Sequence, residues 1–161
     1  MKIIYFIRHA KAKKIAATDF DRALNSKGKK AAKLMAGRLK SKKILPELII
    51  SSPAKRTAKT AKIIAKNINF NGKIKFEKSL YEANTQDYLK LIWQINNSLN
   101  SVFITGHNDT LTQICEILSD SHIGNIPTGG VFGIEFDVKE FKEIGARVGR
   151  VLLFDYPKKI E

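Results

Sequence analysis

The sequence predicts a three-layer αβα fold built on a mostly parallel sheet, and two features of the chain carry that prediction. Short apolar runs alternate with amphipathic helical stretches from residue 2 to about residue 118. Beyond them come two further strand-like runs with no helical pattern between them. Alternation of this kind calls for parallel strands joined by right-handed crossovers, with helices on both faces of the sheet. The order reads β-α-β-α-β-α-β-α-β-β, and no repeat, low-complexity tract or linker interrupts it. Residues 1–161 are therefore expected to form a single domain with a substantial core.

Residues 2–7 (KIIYFI) are too few for a helix and rich in β-branched and aromatic side chains, the composition of a buried strand. Residues 25–40 open with two cap candidates, Asn25 and Ser26, and set Ala31, Leu34, Met35 and Leu39 on one helical face. A second strand follows at 48–51. Ser52 and Pro53 read as a cap and a first-turn proline that open a helix to about Lys66, with Ala58, Ala61 and Ala65 inward. Residues 73–76 make a third, weaker strand. Thr85 is read as the cap of a helix that buries Tyr88, Leu91, Ile92 and Ile95 and packs Trp93, and 101–105 (SVFIT) as a fourth buried strand. Asn108 or Asp109 starts a helix with Leu111, Ile114, Cys115 and Leu118 inward. Residues 131–137 and 150–156 close the chain as strands joined by a Lys/Glu-rich turn.

The chain is strongly basic, with 29 Lys and Arg against 15 Asp and Glu, and the charge is unevenly placed. Residues 1–80 carry 22 basic against 4 acidic residues, a net of +18, and residues 81–161 carry 7 against 11, a net of −4. Such a balance admits a nucleic acid, an acidic protein surface or a phosphorylated substrate as partner. Most of the basic residues are Lys at helical spacing, the pattern of a solvated face. The basic half has no interleaved aromatic platform or nucleic-acid motif, so nucleic acid is the least expected of the three. The single Cys115 excludes an internal disulfide framework. No apolar run is long enough to span a membrane, and residues 1–7 are too short for an export signal, with Arg8, His9, Lys11 and Lys13 following at once. A cytoplasmic location is expected.

In a sheet of this kind, ligands gather at the carboxyl ends of the strands, where loops feed helix N-termini. Three such ends carry chemistry: Arg8-His9-Ala10 after the first strand, Ser51-Ser52-Pro53-Ala54-Lys55-Arg56 after the second, and Thr105-Gly106-His107-Asn108 after the fourth. A lone histidine at a strand end is ordinarily a hydrogen-bonded structural residue. Two His and two Arg converging on one sheet edge make a site. Arg offers a planar, permanently charged fork to phosphoryl oxygens, and helix N-termini add N–H donors. Arg8, Arg56 and a second histidine around His9 disfavour its protonated form. A neutral ring nitrogen then attacks phosphorus and splits hydrolysis into two easier steps, while His107 stabilises the charge developing on a phosphoryl oxygen.

These residues resemble the histidine phosphatase superfamily, with its small SixA-like phosphohistidine phosphatases as the nearest likeness. The likeness extends over nearly the whole chain, including Asp21-Arg22-Ala23-Leu24, Leu80-Tyr81-Glu82-Ala83 and Pro127-Thr128-Gly129-Gly130. It implies the phosphoglycerate mutase-like fold, His9 as the phosphorylated nucleophile, and Arg8, Arg56 and His107, with Asn108, as phosphate-binding residues. It implies no metal and no cofactor. Ala10 stands where the superfamily's usual triplet has Gly, and Asp109 stands where many SixA-like chains have Pro. Asp109 is read as a helix cap in preference to a residue that tunes product release.

The leaving group decides what else such a site needs. An alkoxide needs a general acid, whereas a phosphorylated imidazole leaves with little help. Glu82 is the candidate donor in the segment where the superfamily places one; facing the pocket it favours phosphate monoesters, and facing solvent it favours phosphohistidine. The expected function is hydrolysis of a phosphoryl group through a phosphohistidine on His9, on a phosphorylated protein such as a phosphohistidine-carrying domain. The alternatives are a phosphomonoesterase acting on a small phosphorylated metabolite, and a non-catalytic phosphate or nucleic-acid binding module. Arg22 either reaches substrate or pairs with Asp19. Lys11, Lys13 and Lys14 are read as a basic rim, Cys115 as core, and His122 as lacking ligand spacing for a metal.

Overall fold

The computed structural model describes residues 1–160. Its strands are β1 (Lys2–Arg8), β2 (Leu48–Ser51), β3 (Ile74–Phe76), β4 (Ser101–Gly106), β5 (Val131–Phe136) and β6 (Gly149–Asp155), and they form one sheet in the order β3-β2-β4-β1-β5-β6. β3, β2, β4 and β1 run parallel, whereas β5 pairs antiparallel with β1 and with β6. The sheet is thus mixed. The connection from β5 to β6 has only a 3-10 turn at Phe141–Glu143, too short for the crossover that a parallel return needs.

Strand alternation divides the core into two layers. Ile4 and Phe6 of β1, Ile50 of β2, and Val102 and Ile104 of β4 face one side, where α3 (Thr85–Trp93) and α4 (Thr110–Ser119) cover them with Tyr88, Ile92, Leu111 and Ile114. Tyr5, Ile7, Ile49 and Phe103 face the other side, against Met35, Ala36 and Leu39 of α1 (Ser26–Ser41) and Ala61 and Ile64 of α2 (Lys55–Asn67). The edge strands β3 and β6 are largely exposed, whereas the central strands β1, β2 and β4 are buried up to their carboxyl ends.

Local details correct several expectations. The inward stripe of α1 is Ala32, Met35, Ala36 and Leu39, at i, i+3, i+4 and i+7; Leu34 lies off it and is 46% exposed. α2 begins at Lys55, two residues after Pro53, because Ser52 and Pro53 form the turn that leaves β2. Ala58 is only half-buried, and the buried face includes Thr57, Thr60, Ile63 and Ile64. Asn84, one residue before Thr85, caps α3 in a reciprocal box with Asp87. Ile95 is buried just beyond the end of α3, and Trp93 is partly exposed with its Nε1–H donating to the Ile144 carbonyl at 2.7 Å. Asp109 stands at the cap position of α4, but its side chain makes no capping bond; Asn108 Oδ1 accepts from Thr112 N instead, at 3.2 Å. Cys115 is fully buried.

Candidate active site

The strands β1, β2 and β4 end level with one another. Arg8 lies opposite Gly106, and Thr105 opposite both Ile7 and Ser51. The chain immediately past these ends stays hydrogen-bonded: His9 N–H donates to the Gly106 carbonyl at 3.2 Å and Ser52 N–H to the Thr105 carbonyl at 3.0 Å. Gly129 N–H donates to the carbonyls of Arg8, at 3.1 Å, and His9, at 2.9 Å. Gly129 does so at φ +75°, a left-handed conformation that favours glycine. Arg8, His9, Ser52 and His107 thereby share one rigid edge, and Arg56 joins them from the first turn of α2.

His9 is 8% exposed, and its Nδ1 lies 2.8 Å from the Ala10 carbonyl oxygen. A carbonyl only accepts, so Nδ1 carries the proton and donates it. Burial, opposed by that hydrogen bond and reinforced by Arg56 and Arg8, lowers the His9 pKa to about 4. The ring is neutral at pH 7, and its remaining lone pair lies on Nε2.

His107 sits at 5.5 Å from His9, centroid to centroid. Its Nε2 lies 2.8 Å from Ser52 Oγ, which also accepts a hydrogen bond from Ala54 N–H at 3.3 Å. Beside the Ala54 N–H the hydroxyl oxygen keeps a second lone pair, so Ser52 meets either tautomer of His107, donating to a bare Nε2 or accepting from Nε2–H. Burial first, then Arg56, lowers the His107 pKa to about 3, so this ring too is neutral.

Arg56 is 6% exposed; its guanidinium donates to the Asp19 carbonyl at 2.8 Å and to Asp19 Oδ2 at 3.1 Å. Arg8 donates through Nη1 to the Ile126 carbonyl at 2.9 Å. Three buried nitrogens around the site, Arg8 Nε, Arg56 Nε and His107 Nδ1, have no protein partner. The two guanidinium N–H groups, joined by His107 Nδ1 in the tautomer that carries its proton there, fit an anion with several acceptor oxygens.

Asp19 and Tyr81 join the site without having been singled out as functional by the sequence. Asp19 pairs with Arg22 at 3.1 Å as well as with Arg56, and Tyr81 donates its hydroxyl to Asp19 Oδ2 at 2.8 Å. The Tyr81 hydrogen bond is the main cause that lowers the Asp19 pKa to about 2. Tyr81 also packs edge-on against His107 and against Phe20. Arg22 is therefore ion-paired, one of its two expected placements.

Glu82 is exposed, at φ +56°, and lines a cavity of about 80 Å³ with Tyr88, His107 and Asn108. The Asn108 side chain is engaged within the protein: Nδ2 donates to Asn125 Oδ1 at 2.6 Å, and Oδ1 accepts from Thr112 Oγ1 at 2.8 Å. Lys11, Lys13, Lys14 and His122 are exposed. Among the described residues no group of three or more His, Cys, Asp or Glu has metal-ligand geometry.

The fold and the strand-end cluster of His and Arg define a phosphate-handling α/β protein. The family model of the histidine phosphatase superfamily (branch 1) matches residues 4–124, and the chain belongs to that superfamily. No curated protein sequence matches it significantly. Among solved structures it is similar to an Agrobacterium tumefaciens protein assigned as the phosphohistidine phosphatase SixA, at 27% identity and TM-score 0.82, over 95% of this chain and 96% of that one. It is also similar to a protein histidine phosphatase SixA solved with tungstate, at 20% identity and TM-score 0.84, over 96% and 97% of the two chains. An Escherichia coli K-12 protein assigned as an α-ribazole-5′-phosphate phosphatase matches at 11% identity and TM-score 0.73, over 99% of each chain. The last two likenesses show the fold.

Proposed function

We propose that the protein is a protein phosphohistidine phosphatase of the SixA type, acting through a covalent intermediate on His9 within one domain spanning residues 1–161. The carrying observation is the 2.8 Å bond from His9 Nδ1–H to the Ala10 carbonyl, which leaves the lone pair of a neutral ring on Nε2. Nε2 attacks phosphorus, a P–N bond forms, and the bond to the leaving group breaks as that group takes up a proton. Water then cleaves the phosphohistidine and releases inorganic phosphate. Arg8 and Arg56, and His107 in its Nδ1–H tautomer, donate to the nonbridging oxygens as charge develops on them. Asn108 braces the loop behind His107 in this reading. A free, buried Cys115 accords with a cytoplasmic setting.

One observation favours a second reading. Glu82 shares its cavity with His107, a placement from which a carboxylic acid protonates an alkoxide. In that case the substrates are small phosphate monoesters. A panel of one phosphohistidine peptide, one phosphoserine peptide and several sugar phosphates separates the two. The first reading predicts the highest kcat/KM on phosphohistidine by at least tenfold; a sugar phosphate in that position overturns it in favour of the second.

A further inference from the structure

The uneven charge of the sequence becomes, in the fold, a difference between faces. α1 and α2, on one side of the sheet, carry eleven Lys and Arg and no Asp or Glu. α3 and α4, on the other, carry one Lys against one Asp and one Glu.

A groove of about 410 Å³ runs along the basic side, lined by Lys29 and Lys33 of α1 and by Lys59, Lys62 and Lys66 of α2, with Ile63 between them. It continues into a second groove that shares Lys59 and Lys62 and adds Lys55, Pro53 and Phe20. Phe20 packs against Tyr81, and Tyr81 against His107, so the lysine track begins beside the active-site edge. From Lys55 to Lys66 it descends α2 for about 16 Å at 1.5 Å per residue. None of the five groove lysines takes part in an ion pair among the described residues; Lys62 alone has a partner, the Phe76 ring at 5.8 Å. Asp21, at the active-site end, is the one carboxylate among the described residues lining either groove.

Five like charges around one concavity repel one another, and an anionic partner relieves that repulsion. Lys59, Lys62 and Lys66 stand on one helical face, about 5–6 Å apart from turn to turn, the spacing at which an acidic helix presents its own carboxylates. The groove uses Lys, a mobile point charge, where bidentate capture of phosphates uses the Arg fork. No aromatic side chain lines the five-lysine groove, so it has no platform for stacking bases.

We propose that the α1–α2 groove docks an acidic helical surface of the phosphoprotein substrate and so presents its phosphorylated side chain to His9. The proposal rests on the phosphohistidine reading above and adds to it the chemistry of the partner. It differs from the Lys11, Lys13 and Lys14 rim that the sequence alone suggests.

The test uses two phosphohistidine peptides that differ in one flank, a three-turn helix bearing either Glu or Gln at the i, i+3 and i+7 positions. Wild type is expected to hydrolyse the Glu peptide with a kcat/KM at least tenfold higher at low salt, and the preference is expected to shrink toward unity at about 0.5 M salt. The Lys33→Glu/Lys62→Glu/Lys66→Glu variant should lose the preference while turning over an aryl phosphate within about twofold of wild type. The corresponding triple Lys→Gln variant repeats the measurement should the charge reversal impair folding. Equal rates of wild type on the two peptides overturn the proposal. Should wild type hydrolyse neither peptide, the phosphohistidine reading fails, and docking is judged by fluorescence anisotropy with the unphosphorylated Glu peptide. Binding that the triple variant loses upholds the groove, and absent binding overturns it. Tighter binding of an oligothymidylate than of the Glu peptide at equal salt also overturns it, in favour of a nucleic-acid partner.

Discussion

Arg56 Nη2 lies 3.1 Å from Asp19 Oδ2, so a carboxylate already engages the guanidinium that the proposed mechanism assigns to the phosphoryl group. The Asp19 side chain is 53% exposed and sits on the loop between β1 and α1, where it also meets Arg22 and Tyr81. It is an anion at neutral pH, and its charge opposes an incoming phosphate. Asp19→Asn keeps the shape and removes the charge. Inorganic phosphate should inhibit this variant about three- to tenfold more tightly than wild type, an effect that weakens with salt. Weaker inhibition would show that Asp19 instead holds Arg56 in its working position.

The two lowered histidine pKa values set the pH behaviour. His9 attacks as the neutral ring, so the acid limb of kcat/KM should fall near pH 4, where His9 titrates, and not near the ordinary value of 6.5. The stability sign follows from proton counting. Between about pH 4 and 6.5 the unfolded chain protonates this histidine and the folded chain does not, so stability rises with pH across that window. His107 acts in the same direction from about pH 3 to 6.5. Asp19, depressed to about 2, loses its stabilisation only below the ordinary carboxylate value of 3.8. Urea midpoints measured from pH 4 to 7 should therefore climb in wild type and climb less steeply in His9→Asn.

Gly106 is the last residue of β4, directly before His107, and a Cβ placed there would run into the Tyr88 hydroxyl. Tyr88 is fully buried on α3 against the sheet. Gly106→Ala should cost about 1–3 kcal/mol by overpacking. Adding Tyr88→Phe should restore part of that loss in a denaturant titration, because the clashing atom is the hydroxyl oxygen.

Glu82→Gln distinguishes leaving groups. On an alkyl phosphate the change should lower kcat at least tenfold if the carboxyl supplies the proton, and on a phosphohistidine peptide less than about threefold. Equal, small losses on both substrates would remove Glu82 from the chemistry.

The layers of the fold and the four strand-end residues were legible because each has a local signal. Residues 2–7 and 101–105 are apolar runs too short for anything but strands, and Arg8, His9, Arg56 and His107 each follow such a run or the turn after it. The register of α1 was harder to read. Leu34 is the larger apolar residue, yet the small Ala32 and Ala36 are the ones turned inward, Ala36 beside Met35 and Leu39 on the Tyr5 side of the sheet and Ala32 against Ala10, Leu24 and Ile63. Pro53 suggested a helix start, but the turn it belongs to positions Ser52 for His107. That pair is 55 residues apart, and Tyr81 is 62 residues from Asp19. Contacts of such separation leave no trace in local pattern. Asn108, which the family resemblance implies as a phosphate ligand, also bonds within the protein to Asn125, Ile126 and Thr112, partners up to 18 residues away.

The most direct measurement is covalent trapping on His9. Wild-type protein mixed with a ³²P-labelled phosphohistidine substrate and quenched in alkali should carry label on one peptide, the one containing His9. The bond should be acid-labile and alkali-stable, as a phosphoramidate is, and the His9→Ala protein should carry none. Label that persists on the His9→Ala protein, or that maps to any other residue, would contradict the mechanism.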